Sequence, residues 1–389
     1  MTPAAPSFLG FERSDGRAGV RNHLVILSVT GLTGPTARRV GRVLPAAIVI
    51  THPFGSGLLG EDAVIQDRAI AGLASHPNVG ALVVLGAEPS KVQAAVLAAE
   101  DRGRRVQGFS LADAGHDVLR LTDLAVRAGA ASLRALSADR RIPLPASRLV
   151  LGLECGRSDP TSGLAANPLV GRLADRVLGQ GGIAMIGETT EWLGAEHLLA
   201  RRARTPEVAE AILDAAGRRE AQALAAGLDL TGSNPSETNV RAGLTTIEEK
   251  SLGAIAKSGR APIEGVLTYA EAPTAPGLWV MDAPAYAPES VTGFTAAGAN
   301  LVLFTTGVGN GYVSALAPTL KISANAATVA RLDLQLDIAA DGVLAGEETL
   351  DVAADRAFET LLDVASGTLT FGEILGEGDE VIARFRASL

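Results

Sequence analysis

Short apolar runs alternate along this chain with longer amphipathic runs, and this alternation constrains the fold more than any other feature. In the first third, the apolar runs that predict strands are residues 24–29, 47–50, 81–85 and 105–109. The runs between them that have helical spacing are residues 34–44, 60–73 and 91–100. Continuous apolar strands indicate a sheet that is covered on both faces. Their alternation with helices is typical of a parallel, doubly wound α/β sheet.

The same alternation restarts after residues 140–146, a stretch with two prolines that we interpret as a boundary or hinge. The later predicted strands are residues 149–153, 183–186, 277–281 and 300–304. The later predicted helices are residues 168–178, 207–225 and 354–364. The sequence therefore predicts two Rossmann-like α/β halves with mostly parallel sheets. We expect an N-terminal domain of residues 1–145 and a C-terminal catalytic domain of residues 146–389.

Composition excludes several classes of protein. The chain is 47% hydrophobic and 20% charged, which provides for a large core and argues against disorder. A net charge of −9 without a basic stripe argues against a nucleic-acid partner. No apolar run reaches the roughly 18 residues of a membrane helix, and no secretion signal begins the chain. We expect a cytoplasmic protein that does not bind membranes.

Polar loops follow three of the predicted strands, where ligands bind in open α/β sheets. The first loop combines Glu154, Cys155, Arg157, Ser158 and Asp159. One interpretation is a turn capped by its serine and aspartate, with the chain's single cysteine as an inert core residue. The other is a site where Cys155 or Glu154 binds a divalent metal and Arg157 binds a carboxylate.

The second loop places Glu188 directly after a strand, with Glu191 and Glu196 beyond it. The later acids are also explained as favourable charges at a helix N-terminus, so Glu188 is the better candidate for chemistry. Lys250 and Lys257 lie seven residues apart and share one helical face. They either reach solvent or, if desolvated near an acid, act as a base or as a cation that stabilises an enolate.

The third loop, residues 304–310, offers hydroxyl groups and glycine amides to substrate oxygens or to a phosphate. Neither a P-loop motif nor a dinucleotide-binding glycine motif occurs, which weakens an oxidoreductase interpretation. Lys321 and Asn325 add a cation and an amide further along the chain. Of the five histidines, His52 is the one that follows a predicted strand at the expected mouth of a site.

These segments together resemble the catalytic portion of the altronate/galactarate dehydratases, a family that also includes the large subunit of sulfolactate sulfo-lyase. The resemblance runs through most of the chain. The matching segments are residues 10–13, 15–17, 19–22, 152–156, 158–159, 162–163, 166–168, 188–191, 194–196, 234–235, 243–246, 249–254 and 304–307, with Pro318, Lys321 and Asn325.

The resemblance implies a hydro-lyase that dehydrates a sugar acid to a 2-keto-3-deoxy acid with a divalent metal, Fe²⁺ or Mn²⁺. Its chemistry needs a base for the α-proton, cations for the enediolate and an acid for the departing hydroxyl. The candidate catalytic residues are Glu154, Asp159, Glu188, Lys250 and Lys321. The candidate substrate-binding residues are Arg17, Arg21, Asn22, Arg157, Ser158, Asn167, Thr305, Thr306 and Asn325. The candidate metal ligands are Cys155 and His52.

The chain departs from the family pattern at several positions. Cysteines common in the family are replaced by Ser56 and Ala87 and in residues 313–317 and 339–340, so an iron site made of those thiols would be mostly lost. Arg157 stands where a glycine is usual, and Val308 where an arginine is usual. Our hypothesis is that the cation has moved from the third loop to the first, so that a carboxylate or sulfonate binds in altered geometry.

Single-chain dehydratases of this family carry an extra N-terminal domain that does not precede Gly10 here. We therefore expect a separate small subunit in its place, together with a hydroxy-acid substrate and assembly as a homo-oligomer. Three alternatives stay open. The chain is the large subunit of a sulfo-lyase acting on a sulfonated hydroxy acid, a diverged acid-binding paralogue without the family's iron chemistry, or an unrelated oxidoreductase.

Overall fold

A computed structural model describes residues 5–55, 57–230 and 234–384 of the chain. The strands are β1 (Ser7–Glu12), β2 (Ala18–Gly19), β3 (His23–Ser28), β4 (Ala47–Thr51), β5 (Val79–Gly86), β6 (Arg105–Ser110), β7 (Ile142–Pro145), β8 (Val150–Cys155), β9 (Ile183–Ile186), β10 (Ile263–Leu267), β11 (Gly277–Met281), β12 (Leu301–Thr305), β13 (Val313–Ser314), β14 (Thr319–Ser323), β15 (Ile338–Ala339) and β16 (Gly378–Asp379).

Helices cover the sheets. They are α1 (Gly34–Val43), α2 (Glu61–Ala74), α3 (Pro89–Glu100), α4 (Val118–Leu136), α5 (Asn167–Gly179), α6 (Glu196–Ala200), α7 (Pro206–Ala225), α8 (Glu237–Arg241), α9 (Ile247–Ile255), α10 (Ala287–Ala296), α11 (Ala326–Arg331), α12 (Asp341–Ala345), α13 (Leu350–Ala365) and α14 (Phe371–Leu375). Among the described residues, no helix is both long enough and apolar enough to cross a membrane.

The N-terminal sheet is parallel, with strand order β4-β3-β5-β6. Its central strand β5 is buried along its whole length, as the continuous apolar run predicts. Helix α4 begins where the Asp117 carboxylate accepts hydrogen bonds from the backbone N–H groups of Leu119 and Arg120. The prediction of mostly parallel α/β sheets is confirmed here.

The C-terminal sheet is also parallel, with strand order β10-β11-β9-β8-β12-β14-β15. The first strand of this sheet in the sequence is β8. The next strands, β9 to β11, lie on one side of β8, and β12 then lies on its other side. This reversal brings the carboxyl ends of β8, β9 and β12 together, and ligands bind at such a point in open α/β sheets. The predicted location at the carboxyl ends of the strands thus coincides with the reversal of strand order.

The composition of residues 140–146 suggested a boundary or hinge, but the structure shows that they are not free to act as a hinge. Residues 142–145 form β7, which pairs antiparallel with β1, and β1 pairs with β2. The prolines Pro143 and Pro145 are tolerated because β7 is an edge strand of this small sheet, where a missing N–H breaks no further ladder. The boundary stretch is therefore clamped by the beginning of the chain.

One buried side chain, Asn78, connects the two halves. Its Oδ1 accepts hydrogen bonds from the backbone N–H groups of Val20, at 2.8 Å, and Arg21, at 3.3 Å. Its Nδ2 donates to the carbonyl oxygens of Asn300, at 3.0 Å, and Leu316, at 2.9 Å. All four hydrogen bonds that this amide can make thus satisfy backbone groups, and these groups are far apart in sequence.

We predict that Asn78→Ala lowers the free energy of unfolding by about 2–4 kcal/mol, because it leaves buried backbone donors and acceptors without partners. Urea denaturation measures this loss. Gln222→Ala, on the exposed face of α7, is the control and should change the free energy by less than about 0.5 kcal/mol. Equal effects of the two substitutions would contradict the role assigned to Asn78.

Candidate functional site

A cavity of about 420 Å³ lies at the carboxyl edge of the C-terminal sheet. Three of its lining segments follow predicted strands, and they contribute Cys155 to Ser158, Glu191 and Asn310. Helix α9 contributes Lys250, and further lining residues are Ser236, Thr238, Asn239 and residues 285–288. The three polar loops singled out in the sequence therefore meet in one cavity, with Lys250 in its wall.

A buried ionic cluster lies at the floor of this cavity. The Lys257 Nζ donates a hydrogen bond to the Cys155 Sγ, 3.0 Å away, and forms an ion pair with the Glu188 carboxylate. The backbone N–H of Cys155 donates to Glu188 Oε2 at 3.2 Å. The side chains of Lys257 and Glu188 are essentially inaccessible to solvent. Because an isolated buried charge is very costly, each of these two groups requires the other.

Each member of this cluster lies at the end of a regular element. Cys155 is the last residue of β8, and Glu188 follows the end of β9 with φ of +60°. This left-handed backbone is unfavourable for a residue with a Cβ, and it marks a constrained position at the strand end. Lys257 lies in a 3₁₀ turn that continues α9, a helix that begins with the capping hydroxyl of Thr246.

A second ion pair faces the cavity itself. The Lys250 Nζ lies 2.9 Å from Glu191 Oε1 and donates to Asn234 Oδ1 at 2.7 Å. The Cys155 thiol donates to the other carboxylate oxygen of Glu191, at 3.2 Å. Glu191 thus joins the buried cluster to the groups that a bound molecule would touch.

Glu154 lies behind this arrangement and is fully buried. Its Oε2 accepts a hydrogen bond from the Ser290 hydroxyl at 2.8 Å. Burial, and then the negative charge of Glu188, raises the pKa of Glu154 well above its ordinary value. Glu154 therefore holds a proton, which it can share with the neighbouring carboxylate of Glu188.

The pKa shifts divide the cluster into protonated and ionised groups. Burial, followed by Glu188 and Glu191, raises the pKa of the Cys155 thiol well above its ordinary range, so the thiol is protonated. Burial also raises the pKa of Glu188. Burial opposes ionisation of Glu191, but Lys250 and Lys257 outweigh it and lower the pKa of that carboxyl. Its partner Lys250 has a raised pKa, because Glu191 outweighs burial, so an ionised pair faces the cavity.

The residues can be tested against a divalent metal. Cys155, Glu188 and Glu191 each offer one ligand atom, and these atoms lie within 4.8 Å of one another. A thiolate with two carboxylates suits a borderline divalent ion such as Fe²⁺. However, the Lys257 ammonium already bonds Cys155 and Glu188, so an ion on the same atoms would meet a positive charge at close range. The arrangement therefore does not fit a divalent ion while Lys257 is protonated.

Other predicted site residues form a supporting layer. The Asp159 carboxylate accepts hydrogen bonds from the Ser162 backbone N–H, at 3.0 Å, and from Asn325 Nδ2, at 2.7 Å. Asn167 accepts from the Thr305 hydroxyl and donates to the Gly253 carbonyl oxygen. Thr306 accepts from the Gly309 N–H. These groups fix the loops that carry the cavity, whereas Arg157 and Ser158 line it directly.

The remaining candidates lie elsewhere. Lys321 is buried against the Phe304 ring, 3.5 Å from its centre, and donates to the Tyr312 carbonyl oxygen. Burial lowers its pKa to about 7. His52 lines a separate cavity of about 340 Å³ at the carboxyl edge of the N-terminal sheet. Ser56 lies outside the described residues.

The three predicted N-terminal substrate ligands bind other parts of the chain. Arg17 pairs with Asp15 and donates to the Ser75 carbonyl oxygen. Arg21 forms a two-point ion pair with Glu373, and Asn22 donates to Asp139. These residues therefore lie along the seam between the two halves, not among the residues that line the cavity.

The site residues chosen from the sequence did not include Glu191 and Lys257, which complete the cluster. Glu191 had an adequate explanation as a charge near a helix start, and for Lys257 the sequence left open a solvent-exposed lysine or a desolvated cation near an acid. A signal was present in the shared helical face of Lys250 and Lys257. Two lysines one heptad apart at a predicted site, together with two nearby glutamates, indicate a pair of ion pairs.

We predict that Lys257→Met destabilises the fold by about 3–5 kcal/mol at pH 8 and by less at pH 5. Loss of the ammonium raises the pKa of Glu188 further above its unfolded value. Stability from such a carboxyl is present at low pH and is lost as the pH rises through the folded-state pKa. Urea denaturation at both pH values measures the difference. Lys91→Met, which removes an exposed ion pair with Asp67, should cost at most about 1 kcal/mol. An equal loss at both pH values would contradict this account of Lys257.

Comparisons with known proteins agree with this architecture. Residues 146–388 match the family model described as D-galactarate/Altronate dehydratase, C-terminal. Residues 10–136 match the model described as D-galactarate dehydratase/Altronate hydrolase, second domain. Residues 137–145, which include β7, lie between the two matches.

Curated relatives match across almost the whole chain. The (2R)-sulfolactate sulfo-lyase subunit beta of Chromohalobacter salexigens is 37% identical, over 98% of this chain and 98% of its own length. The altronate dehydratase of Bacillus subtilis is 32% identical, over 93% of this chain and 74% of its own length. The galactarate dehydratase (L-threo-forming) of Escherichia coli is 31% identical, over 93% of this chain and 73% of its own length. The chain is a member of the galactarate/altronate dehydratase family of lyases.

Proposed function

We propose that the chain is a hydro-lyase that removes water from a small sugar acid and leaves a 2-keto-3-deoxy acid. The observation that carries this proposal is the Lys250–Glu191 ion pair, at 2.9 Å, in the wall of the cavity and in contact with the buried cluster behind it. An elimination next to a carboxylate needs an ionised base beside a cation, and this pair supplies both.

Glu191 is the group that we assign to the α-proton of the substrate. Its carboxylate is ionised, lines the cavity and is oriented by hydrogen bonds from Cys155 and Lys250. Arg157 lines the same cavity and is assigned to the substrate carboxylate, since a guanidinium binds the two oxygens of a carboxylate in parallel.

Lys250 is assigned to the negative charge that develops when the α-proton leaves. Its ammonium, fixed by Glu191 and Asn234, can donate a hydrogen bond to an enediolate oxygen. The departing hydroxyl then needs a proton. The Lys250 ammonium and the Cys155 thiol are protonated groups that contact Glu191. Either can donate the proton with which the hydroxyl leaves as water.

The residues behind Glu191 act by positioning. Lys257 holds Cys155 and Glu188, and it contributes to the lowered pKa of Glu191. Glu154 keeps a proton beside Glu188 and so limits the negative charge of the cluster. The dehydratase role thus depends on groups that a substrate does not touch. No step needs the divalent ion that the family resemblance implies.

A second candidate is the release of sulfite from a sulfonated hydroxy acid. The match to the sulfo-lyase subunit beta favours it, because that match covers 98% of both chains, whereas the match to the altronate dehydratase covers 74% of the dehydratase's length. In this reaction the proton again leaves the α-carbon, and sulfite leaves the β-carbon in place of the hydroxyl. Glu191 and Lys250 would therefore keep their roles. A separate small subunit belongs to this candidate, since the relative is named as one subunit of its enzyme.

We predict that Glu191→Gln reduces exchange of the substrate α-proton with D₂O by about 10²–10⁴-fold, since the amide cannot accept that proton. Proton NMR of D-altronate or galactarate incubated with the enzyme in D₂O measures the exchange. Glu248→Gln, an exposed residue of α9, is the control and should keep the wild-type rate. Wild-type exchange in Glu191→Gln would exclude Glu191 as the base.

The proposed function is tested by incubating the purified chain with altronate, galactarate and (2R)-sulfolactate, alone and with a candidate small subunit. We expect a 2-oxo acid from one of the polyhydroxy acids, detected as its semicarbazone. Sulfite release from sulfolactate without dehydration of the other two would replace the first candidate by the second. The absence of product from all three acids in both conditions would overturn the lyase assignment for these substrates.

A further inference from the structure

The segment of residues 10–22, which carries part of the family resemblance, is not used by the proposed elimination, yet it forms part of a second cavity. This cavity has a volume of about 290 Å³ and lies at the amino ends of β5 and β6, the edge of the N-terminal sheet opposite its ligand-binding end. Its lining comes from four segments of the chain. They contribute Phe11 to Ser14, Gly80, Gly103 to Arg105, and Asp139 with Arg140.

The lining carries an excess of positive charge. Four arginines, Arg13, Arg104, Arg105 and Arg140, line the cavity with two acids, Glu12 and Asp139. Asp139 forms a two-point ion pair with Arg105, and Asp15, next to the lining, pairs with Arg104. The described residues of the cavity and its border therefore keep an excess of positive charge, carried mainly by Arg13 and Arg140. The whole chain, in contrast, has a net charge of −9. A local excess of cations in an acidic protein requires a physical reason.

The arginines are held in place by the fold. Arg13 donates to the carbonyl oxygens of Pro77, at 2.7 Å, and Arg21, at 3.1 Å, and to Asn22 Oδ1 at 2.9 Å. Arg104 donates to the His76 carbonyl oxygen and pairs with Asp15 at 3.2 Å. Most of these partners are neutral groups, which orient a guanidinium without cancelling its charge.

The electrostatics of the two buried arginines agree with this geometry. Burial, and then the nearby charge of Arg104, lowers the pKa of Arg13 to about 10. Burial also lowers the pKa of Arg104 to about 10, although Asp15 opposes the shift. Both groups remain charged at neutral pH, and each would be stabilised by an added negative charge.

The wall between these arginines is made of backbone. A Cβ on Gly103, where φ is +68°, would lie 2.0 Å from Ser14 Oγ. A Cβ on Gly80 would lie 2.2 Å from Asn22 Oδ1. A larger residue at either position would require Ser14 or Asn22 to move, and at Gly103 it would also have to adopt a left-handed backbone, so the two glycines allow close packing here.

We infer that this arginine-lined cavity is a binding site for a small phosphate-bearing molecule. Guanidinium groups match phosphate oxygens with parallel N–H donors, and a lining with an excess of positive charge suits an anion of several oxygens. The site is independent of the proposed elimination, since none of its lining residues lines the cavity that holds Cys155 and Lys250.

Isothermal titration of the full chain with inorganic phosphate at low ionic strength tests this inference. We expect saturable binding that weakens roughly tenfold in Arg105→Gln and in Arg140→Gln, since each removes a charged donor. Arg127→Gln on α4 removes an exposed arginine that pairs with Asp123, and it should bind phosphate like the wild type. Thermal unfolding of each variant shows whether it is folded.

Three results would overturn the inference. The first is the absence of phosphate binding to the wild-type chain. The second is equal weakening by all three substitutions, which would reduce the binding to a general effect of charge. The third is equal or tighter binding of succinate in the same cavity, detected by its competition with phosphate. That result would assign the site to carboxylates.

Discussion

The buried ion pair between Lys257 and Glu188 is the interaction on which the candidate site of this molecule depends. Two charges removed from water need partners at bonding distance, so the turn after α9 and the end of β9 must meet. Cys155 lies between them and receives a hydrogen bond from the same ammonium. One electrostatic requirement therefore fixes three segments that are distant in sequence. The cavity lies beside them, where polar side chains of these segments are not used by the ion pair.

Sheet topology makes this meeting possible. Because β12 returns to the far side of β8, the strands that carry Cys155 and Thr305 are adjacent, and β9 flanks β8 on the other side. Each strand ends in a loop that crosses no neighbour. Arg157 shows how tightly this edge is built, since its φ of +56° is a conformation that favours glycine. An arginine at that position costs backbone conformational energy that a glycine would not, but it adds a cation to the lining of the cavity.

Local patterns predicted the elements that bury a continuous apolar face, such as β9 and β11, whose bounds match the apolar runs. They failed for β7, because two prolines in a short edge strand have the same signature as a linker. For the site, the pattern identified Glu188 and Lys250 from their position after a strand and on a helix. It ranked Lys321 equally, since burial behind Phe304 depends on the register of β12 and β14. Lys257 acquires its role only through tertiary contacts, which a single sequence does not contain.

The proton on Glu154 determines the charge that an incoming acid meets. With Glu154 neutral and the thiol protonated, two carboxylates, Glu188 and Glu191, balance two ammonium groups, Lys250 and Lys257. Arg157 then leaves the cavity side with a net positive charge that suits an anionic substrate. Ionisation of Glu154 would cancel that charge and would compete for Lys257, which weakens the hold on Cys155. In the proposed function, a buried carboxyl remote from the cavity therefore influences the charge that the substrate meets, because in a medium of low polarity the charges of the cluster act on one another.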